Sequence, residues 1–187
     1  MAPAGNFESL QAAIDNGADS VYFGVDQLNM RARASINFTI DDLDEIARRC
    51  APKGIRTYLT LNTIIYDHDL SIIKTLLDAA KKAGLTAVIA MDQAVIAYAR
   101  QIGMEVHIST QINITNIETV RFYAMFADTM VMSRELSLRQ IKKICEQIEK
   151  EQIKGPSGNL VEIEIFGHGA LCMAVSGKCY LSLHSHN

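Results

Sequence analysis

Only three prolines occur in 187 residues, and 49% of the chain is hydrophobic. That composition excludes a disordered polypeptide and supports a sizeable core, enough for one domain or most of one. Basic charge is not in excess either: the net charge is −3 and the pI is near 5.9. Without a global positive field, a nucleic-acid partner has to be met by a local patch or by chain outside this sequence. No apolar run approaches the roughly 20 residues of a membrane span, and Met1 to Gly5 has neither the basic nor the apolar region of a signal peptide. The expectation is therefore a cytoplasmic protein without a membrane partner. Cysteine is also sparse, at four residues, which excludes a disulfide scaffold and leaves thiols or metal ligands.

Several familiar machines are missing. Ser176-Gly177-Lys178 is not a phosphate loop, because Cys172 stands where that loop's first glycine belongs. There is no Gly-x-Ser-x-Gly elbow and no His-Glu-x-x-His zinc helix.

What is present is an alternation of short apolar strands and amphipathic helices with a period near 25 residues. Helices are expected at Phe7 to Asn16, Asp41 to Lys53, Leu70 to Ala83, Gln93 to Ile102, Asn116 to Phe126 and Leu138 to Gln152. Several of them stop at a glycine: Gly17, Gly54, Gly84 and Gly103. Between them lie strands such as Ser20-Val-Tyr-Phe-Gly24 and Ala87-Val-Ile-Ala-Met91, near-continuous apolar runs as a helix-covered parallel sheet requires. Polar residues follow nearly every strand instead of clustering after one or two. The expectation is thus an α/β fold, a parallel (β/α)8 TIM-like barrel, in preference to an open doubly wound sheet. About seven strands are present, the first of them short. Residues 1–187 are accordingly read as a single, incomplete barrel domain cut from a longer protein.

In such a barrel the strand C-termini converge on one face, where sites are built. Asn6, Tyr22, Asn29, Arg31, Asn62, Asp92, Gln111, Asn113, Arg134, Glu135, Glu164 and His168 fall there. Taken singly, Asn and Asp at a strand end cap the next helix or make a turn. Taken together, His168, Glu164 and Glu135 are candidate catalytic groups, and Asn29, Arg31, Asn62, Gln111 and Arg134 candidate substrate-binding groups. Arg31 and Arg134 suit an anionic carboxylate or phosphate, and the carboxylates suit orientation or acid–base work. Cys50 and Cys145 lie in amphipathic helices and are expected in the core. Cys172 and Cys179 instead follow a Gly-His-Gly turn at the functional end. Their spacing is not that of a zinc module, although His184 and His186 leave a zinc site open. A Cys172–His168 nucleophilic pair also stays open.

The blocks Ala2-Pro-Ala-Gly-Asn6, Gly17-Ala-Asp-Ser-Val-Tyr-Phe-Gly24, His107-Ile-Ser-Thr-Gln111, Ser133-Arg-Glu-Leu136 and Glu164-Ile-Phe-Gly-His-Gly-Ala-Leu-Cys-Met-Ala-Val-Ser-Gly-Lys-Cys179 carry a resemblance across nearly the whole chain. They resemble the collagenase-like peptidase family of unassigned catalytic type. The resemblance implies a TIM-barrel N-terminal part and two activities that pull apart. Better-understood members are similar to hydroxylation enzymes acting on tRNA wobble uridine, a ribosomal RNA cytidine or ubiquinone precursors. Those work without O2 on a [4Fe–4S] cluster, some with prephenate as oxygen donor. Cys172 and Cys179 match the first two cluster cysteines, and the other two would follow Asn187. The leading expectation is therefore an iron–sulfur tRNA hydroxylase core. The alternatives are a thiol- or metal-dependent collagenase-like protease acting on peptides, and a non-catalytic binding fragment. An unfinished barrel also leaves an exposed strand edge that invites a homodimer.

Overall fold

The computed structural model describes residues 1–25, 38–169 and 174–178. Asn29, Arg31, Cys172, Cys179, His184 and His186 lie outside the described residues. The chain forms two compact units, Met1–Glu105 and Val106–Asn187. Across the described residues, seven strands alternate with helices in the α/β pattern expected.

In the first unit the order is β1 (Ala2–Pro3), α1 (Phe7–Asp15), β2 (Ser20–Phe23), α2 (Leu43–Cys50), β3 (Arg56–Leu61), α3 (Leu70–Lys82), β4 (Ala87–Ala90) and α4 (Gln93–Gln101). The strands pair in parallel in chain order, with Val21 opposite Thr57 and Leu59 opposite Val88. Residues Thr57 to Leu61 and Ala87 to Ala90 are all buried, on both sides of the pleat. Tyr58, Ala87 and Ile89 pack together on one side with Tyr22 against them. Leu59 and Val88 point the other way, by the strand's period of two. The matching helical stripes are Leu10 and Ile14 on α1, Leu43, Ile46 and Cys50 on α2, and Ile73, Leu76, Leu77 and Ala80 on α3.

The single helix expected over 41–53 is divided. A 3₁₀ turn at Ile40–Asp42 leads into α2, and a second 3₁₀ turn covers Ala51–Lys53. Pro52 is the reason: it has no N–H for the carbonyl four residues back, and its ring crowds that carbonyl. Gly54 then ends the turn with φ of 67°.

In the second unit β5 (Glu105–Ile108), α5 (Ile117–Tyr123), β6 (Thr129–Val131), α6 (Leu138–Glu151) and β7 (Glu162–Glu164) follow one another. Pairing is again parallel, with His107 opposite Thr129 and Val131 opposite Glu164. Ser137 caps α6 reciprocally with Gln140, as its position before the helix predicts. Cys50 is fully buried in α2, and the surrounding hydrocarbon pushes its thiol pKa up. Cys145 departs from the core assignment: it is half-buried, on the shoulder of the stripe made by Ile144 and Ile148.

The loop before β7 folds onto Asp128, whose Oδ1 accepts from the Ser157 N–H at 3.0 Å and hydroxyl at 2.7 Å. A Cβ on Gly155 would lie 2.3 Å from that oxygen and 2.8 Å from the Asp128 Cα. Gly155→Ala is expected to destabilise the protein by about 1–3 kcal/mol through overpacking. Urea unfolding measures it, and a change below about 0.5 kcal/mol would mean that the loop yields freely.

Candidate functional site

Two of the strand-end residues in the first unit start helices. The Asn6 side chain accepts the Ser9 N–H at 2.8 Å and opens α1. The Asp92 carboxylate accepts the Ala94 N–H at 2.8 Å and opens α4. These are N-caps, satisfying donors that the first helical turn leaves without partners. Tyr22 and Asn62 are half-buried at the ends of β2 and β3.

In the second unit the polar residues converge. After β5, Ser109 caps a 3₁₀ turn at Thr110–Ile112, and Asn113 ends it in the left-handed region with φ of 58°. After β6 comes Ser133-Arg134-Glu135. The two loops are tied together: the buried Thr110 hydroxyl donates to the Met132 carbonyl at 3.2 Å, and the Ser133 N–H donates to the Ile114 carbonyl at 3.0 Å.

Onto these loops is docked the segment 174–178. The Ser176 N–H donates to Glu135 Oε1 at 2.8 Å. Arg134 Nη2 donates to the Ala174 carbonyl at 3.0 Å, and Nε reaches the Ser176 hydroxyl at 3.4 Å. The Gly177 N–H donates to Gln111 Oε1 at 3.2 Å. Gln111, Arg134 and Glu135 are thus brought together, with their polar atoms engaged by one short stretch of chain. Arg134 thus gives its Nε and Nη2 donors to this segment, the donors that the sequence reading assigns to an anionic substrate.

The Ser133 hydroxyl also donates to Glu135. That bond is the largest influence lowering the Glu135 carboxyl from its usual 4.5 to about 2; burial opposes it, and the Ser176 N–H adds to the lowering. Because the folded value is depressed, the carboxylate's contribution to docking is present above pH 4.5 and lost as pH falls through about 2. An NMR titration of the Glu135 side-chain carbon is expected to show a midpoint well below 4. A midpoint near 4.5 would mean that these bonds do not form in solution.

Glu164, at the end of β7, approaches a residue that the sequence pattern had not singled out. His107 on β5 is 2% exposed, and its Nδ1 lies 3.8 Å from Glu164 Oε2. The signal in the sequence is a lone polar side chain inside Val106-His107-Ile108. His168 stands exposed in the loop after β7. Ser176 and Gly177 were missed as well: Ser-Gly-Lys invites comparison with a phosphate loop, and nothing local marks it as a docking segment. Among the described residues there is no group of three or more His, Cys, Asp and Glu side chains disposed to hold a metal ion. No described helix is long and apolar enough to cross a membrane.

Parallel strands in chain order, with helices between them and polar groups gathered beyond their C-terminal ends, define a TIM-barrel-like α/β protein, as the solved structures similar to it are. More particularly, the chain belongs to peptidase family U32, which matches residues 5–187. It is 58% identical to a collagenase of Porphyromonas gingivalis over 187 residues, covering 100% of this chain and 45% of that protein. It is 33% identical to tRNA hydroxylation protein P1 of Bacillus subtilis, over 98% of this chain and 42% of that one. Among solved structures it is similar to a U32 peptidase with a TM-score of 0.65 at 11% identity, over 90% of this chain and 92% of that one. The chain spans less than half the length of the curated relatives it matches.

Proposed function

We propose that this chain is part of a collagenase-like peptidase acting on polypeptide substrates. The observation that carries the reading is the 58% identity to a collagenase along all 187 residues. In its thiol form, a Cys172 thiolate adds to the scissile carbonyl, and His168 passes a proton to the departing amine as the C–N bond breaks. Water then hydrolyses the thioester and restores the thiol. In its metal form, His184 and His186 would hold a metal ion, which would supply Lewis-acid polarisation of that carbonyl. The test uses full-length protein on collagen and gelatin, metal-free and metal-loaded, beside Cys172→Ser. Metal-free cleavage lost in the variant supports the thiol form, and cleavage that requires metal supports the other. No cleavage under either condition overturns the reading.

A second reading, an O2-independent tRNA hydroxylase, is favoured by the 33% identity to a tRNA hydroxylation protein. It is also favoured by the position of the docked segment, which lies in sequence between Cys172 and Cys179. A [4Fe–4S] cluster fits that arrangement in one respect, since a fixed connector suits two thiolates that must keep their separation. Two thiols are half of the usual four ligands, so the rest come from elsewhere in the full-length protein. When bound, such a cluster supplies one-electron chemistry, with prephenate as candidate oxygen donor and wobble uridine as candidate substrate. Anaerobic reconstitution is expected to give a brown protein whose absorbance is lost in Cys172→Ala. A colourless protein, or unchanged tRNA nucleosides in a deletion strain, would remove this reading.

A further inference from the structure

We propose that Arg134, Glu135 and Gln111 are positioning residues. They lock the connector 174–178 onto the loops after β5 and β6, and through that hold govern the reactivity of the thiols that bracket it in sequence, Cys172 and Cys179. The bearing on the thiols rests on the readings above, in which those thiols act; the lock itself does not.

The burial pattern of the connector argues for positioning over ordinary packing. Its one branched apolar residue, Val175, is 49% exposed, while the polar Ser176 is 1% exposed. A segment held by the hydrophobic effect would be turned the other way. Here the chain is held by directional bonds: Arg134 to Ala174 and Ser176, Glu135 to Ser176, Gln111 to Gly177. The Arg134 N–H adds a contact to the Ser176 hydroxyl at 3.3 Å, and a turn closes from the Lys178 N–H to the Val175 carbonyl at 2.9 Å. Hydrogen bonds of this kind contribute modestly to stability but fix position and orientation, most of all where a charged group takes part.

The anchoring side is itself braced. The Ser133 hydroxyl holds Glu135 from behind, and the Thr110–Met132 and Ser133–Ile114 bonds join the two loops. Partners fixed in this way cannot follow a shifting connector, so they impose its place. Gly177 completes the fit, because its Cα comes so close to the Gln111 backbone that a Cβ would meet the Gln111 carbonyl oxygen at 2.3 Å.

The test uses full-length protein, prepared anaerobically, as wild type, Glu135→Ala, Glu135→Gln and Arg134→Ala. Three readouts are followed: amide exchange of the 174–178 peptide, alkylation rates of Cys172 and Cys179 in metal-free protein, and the electron paramagnetic resonance of any reconstituted cluster. Glu135→Ala is expected to speed exchange and alkylation roughly tenfold, as loss of a charge-assisted bond implies. Glu135→Gln, which keeps an acceptor oxygen, should fall between it and wild type. Where a cluster forms, its signal should broaden in the same order. Unchanged exchange in Glu135→Ala and Arg134→Ala overturns the lock, and faster exchange with unchanged thiol reactivity overturns its positioning role. A wild type that forms no cluster removes the iron–sulfur reading alone, because exchange and alkylation still decide the lock.

Discussion

Gly177→Ala is expected to detach the 174–178 connector and to reduce whatever activity Cys172 and Cys179 support by at least about tenfold. Two separate penalties act at this position. Its φ of +78° lies in the left-handed region, which costs a residue with a Cβ roughly 1–2 kcal/mol. In addition the new Cβ would stand 2.3 Å from the Gln111 carbonyl oxygen and 3.3 Å from its carbon, both backbone atoms that cannot rotate away. Gly54 supplies the control, with a φ of +67° and nothing within 4 Å of its Cβ position. Gly54→Ala should show only the conformational penalty, about 1–2 kcal/mol of stability, with the connector's amide exchange unaltered. Comparing exchange at 174–178 in the two variants separates backbone strain from lost docking. If both behave alike, the close approach to Gln111 is not what holds the segment.

Leu59→Ala should cost about 2–5 kcal/mol in chemical denaturation, with the denaturant slope unchanged. Leu59 is fully buried in β3, which is hydrogen-bonded to β2 on one side and β4 on the other. Val21 and Val88, on the same side of the sheet as Leu59 by register, are likewise fully buried. Packing at that density leaves a cavity when three carbons are removed, because the sheet cannot close over it without breaking ladder bonds. A loss under about 1 kcal/mol would show that this layer collapses readily around the smaller side chain.

Much of the architecture could be read from local pattern. The strand at Ala87-Val-Ile-Ala90 is apolar throughout and buried throughout, and the helix at Leu138–Glu151 begins at the serine that caps it. Where reading and structure part, a specific competitor explains it. Pro52 turns the end of a periodic helix into 3₁₀, and Cys145 sits one position off its helix's buried stripe. At the strand ends, Asn6 and Asp92 went to capping because a helix N-terminus always has N–H groups to satisfy, whether or not a site lies nearby.

The sequence by itself determined the alternation of elements, their caps and stops, and the presence of reactive side chains beyond the strands, because each depends on neighbours a few positions away. Only the tertiary structure decided which of those side chains meet. Glu135 and Ser176 are 41 residues apart and Gln111 and Gly177 are 66 apart, so no periodic signal connects them. They are joined because parallel register carries the ends of β5 and β6 to the same side of their sheet, where a returning segment can bond to both loops at once.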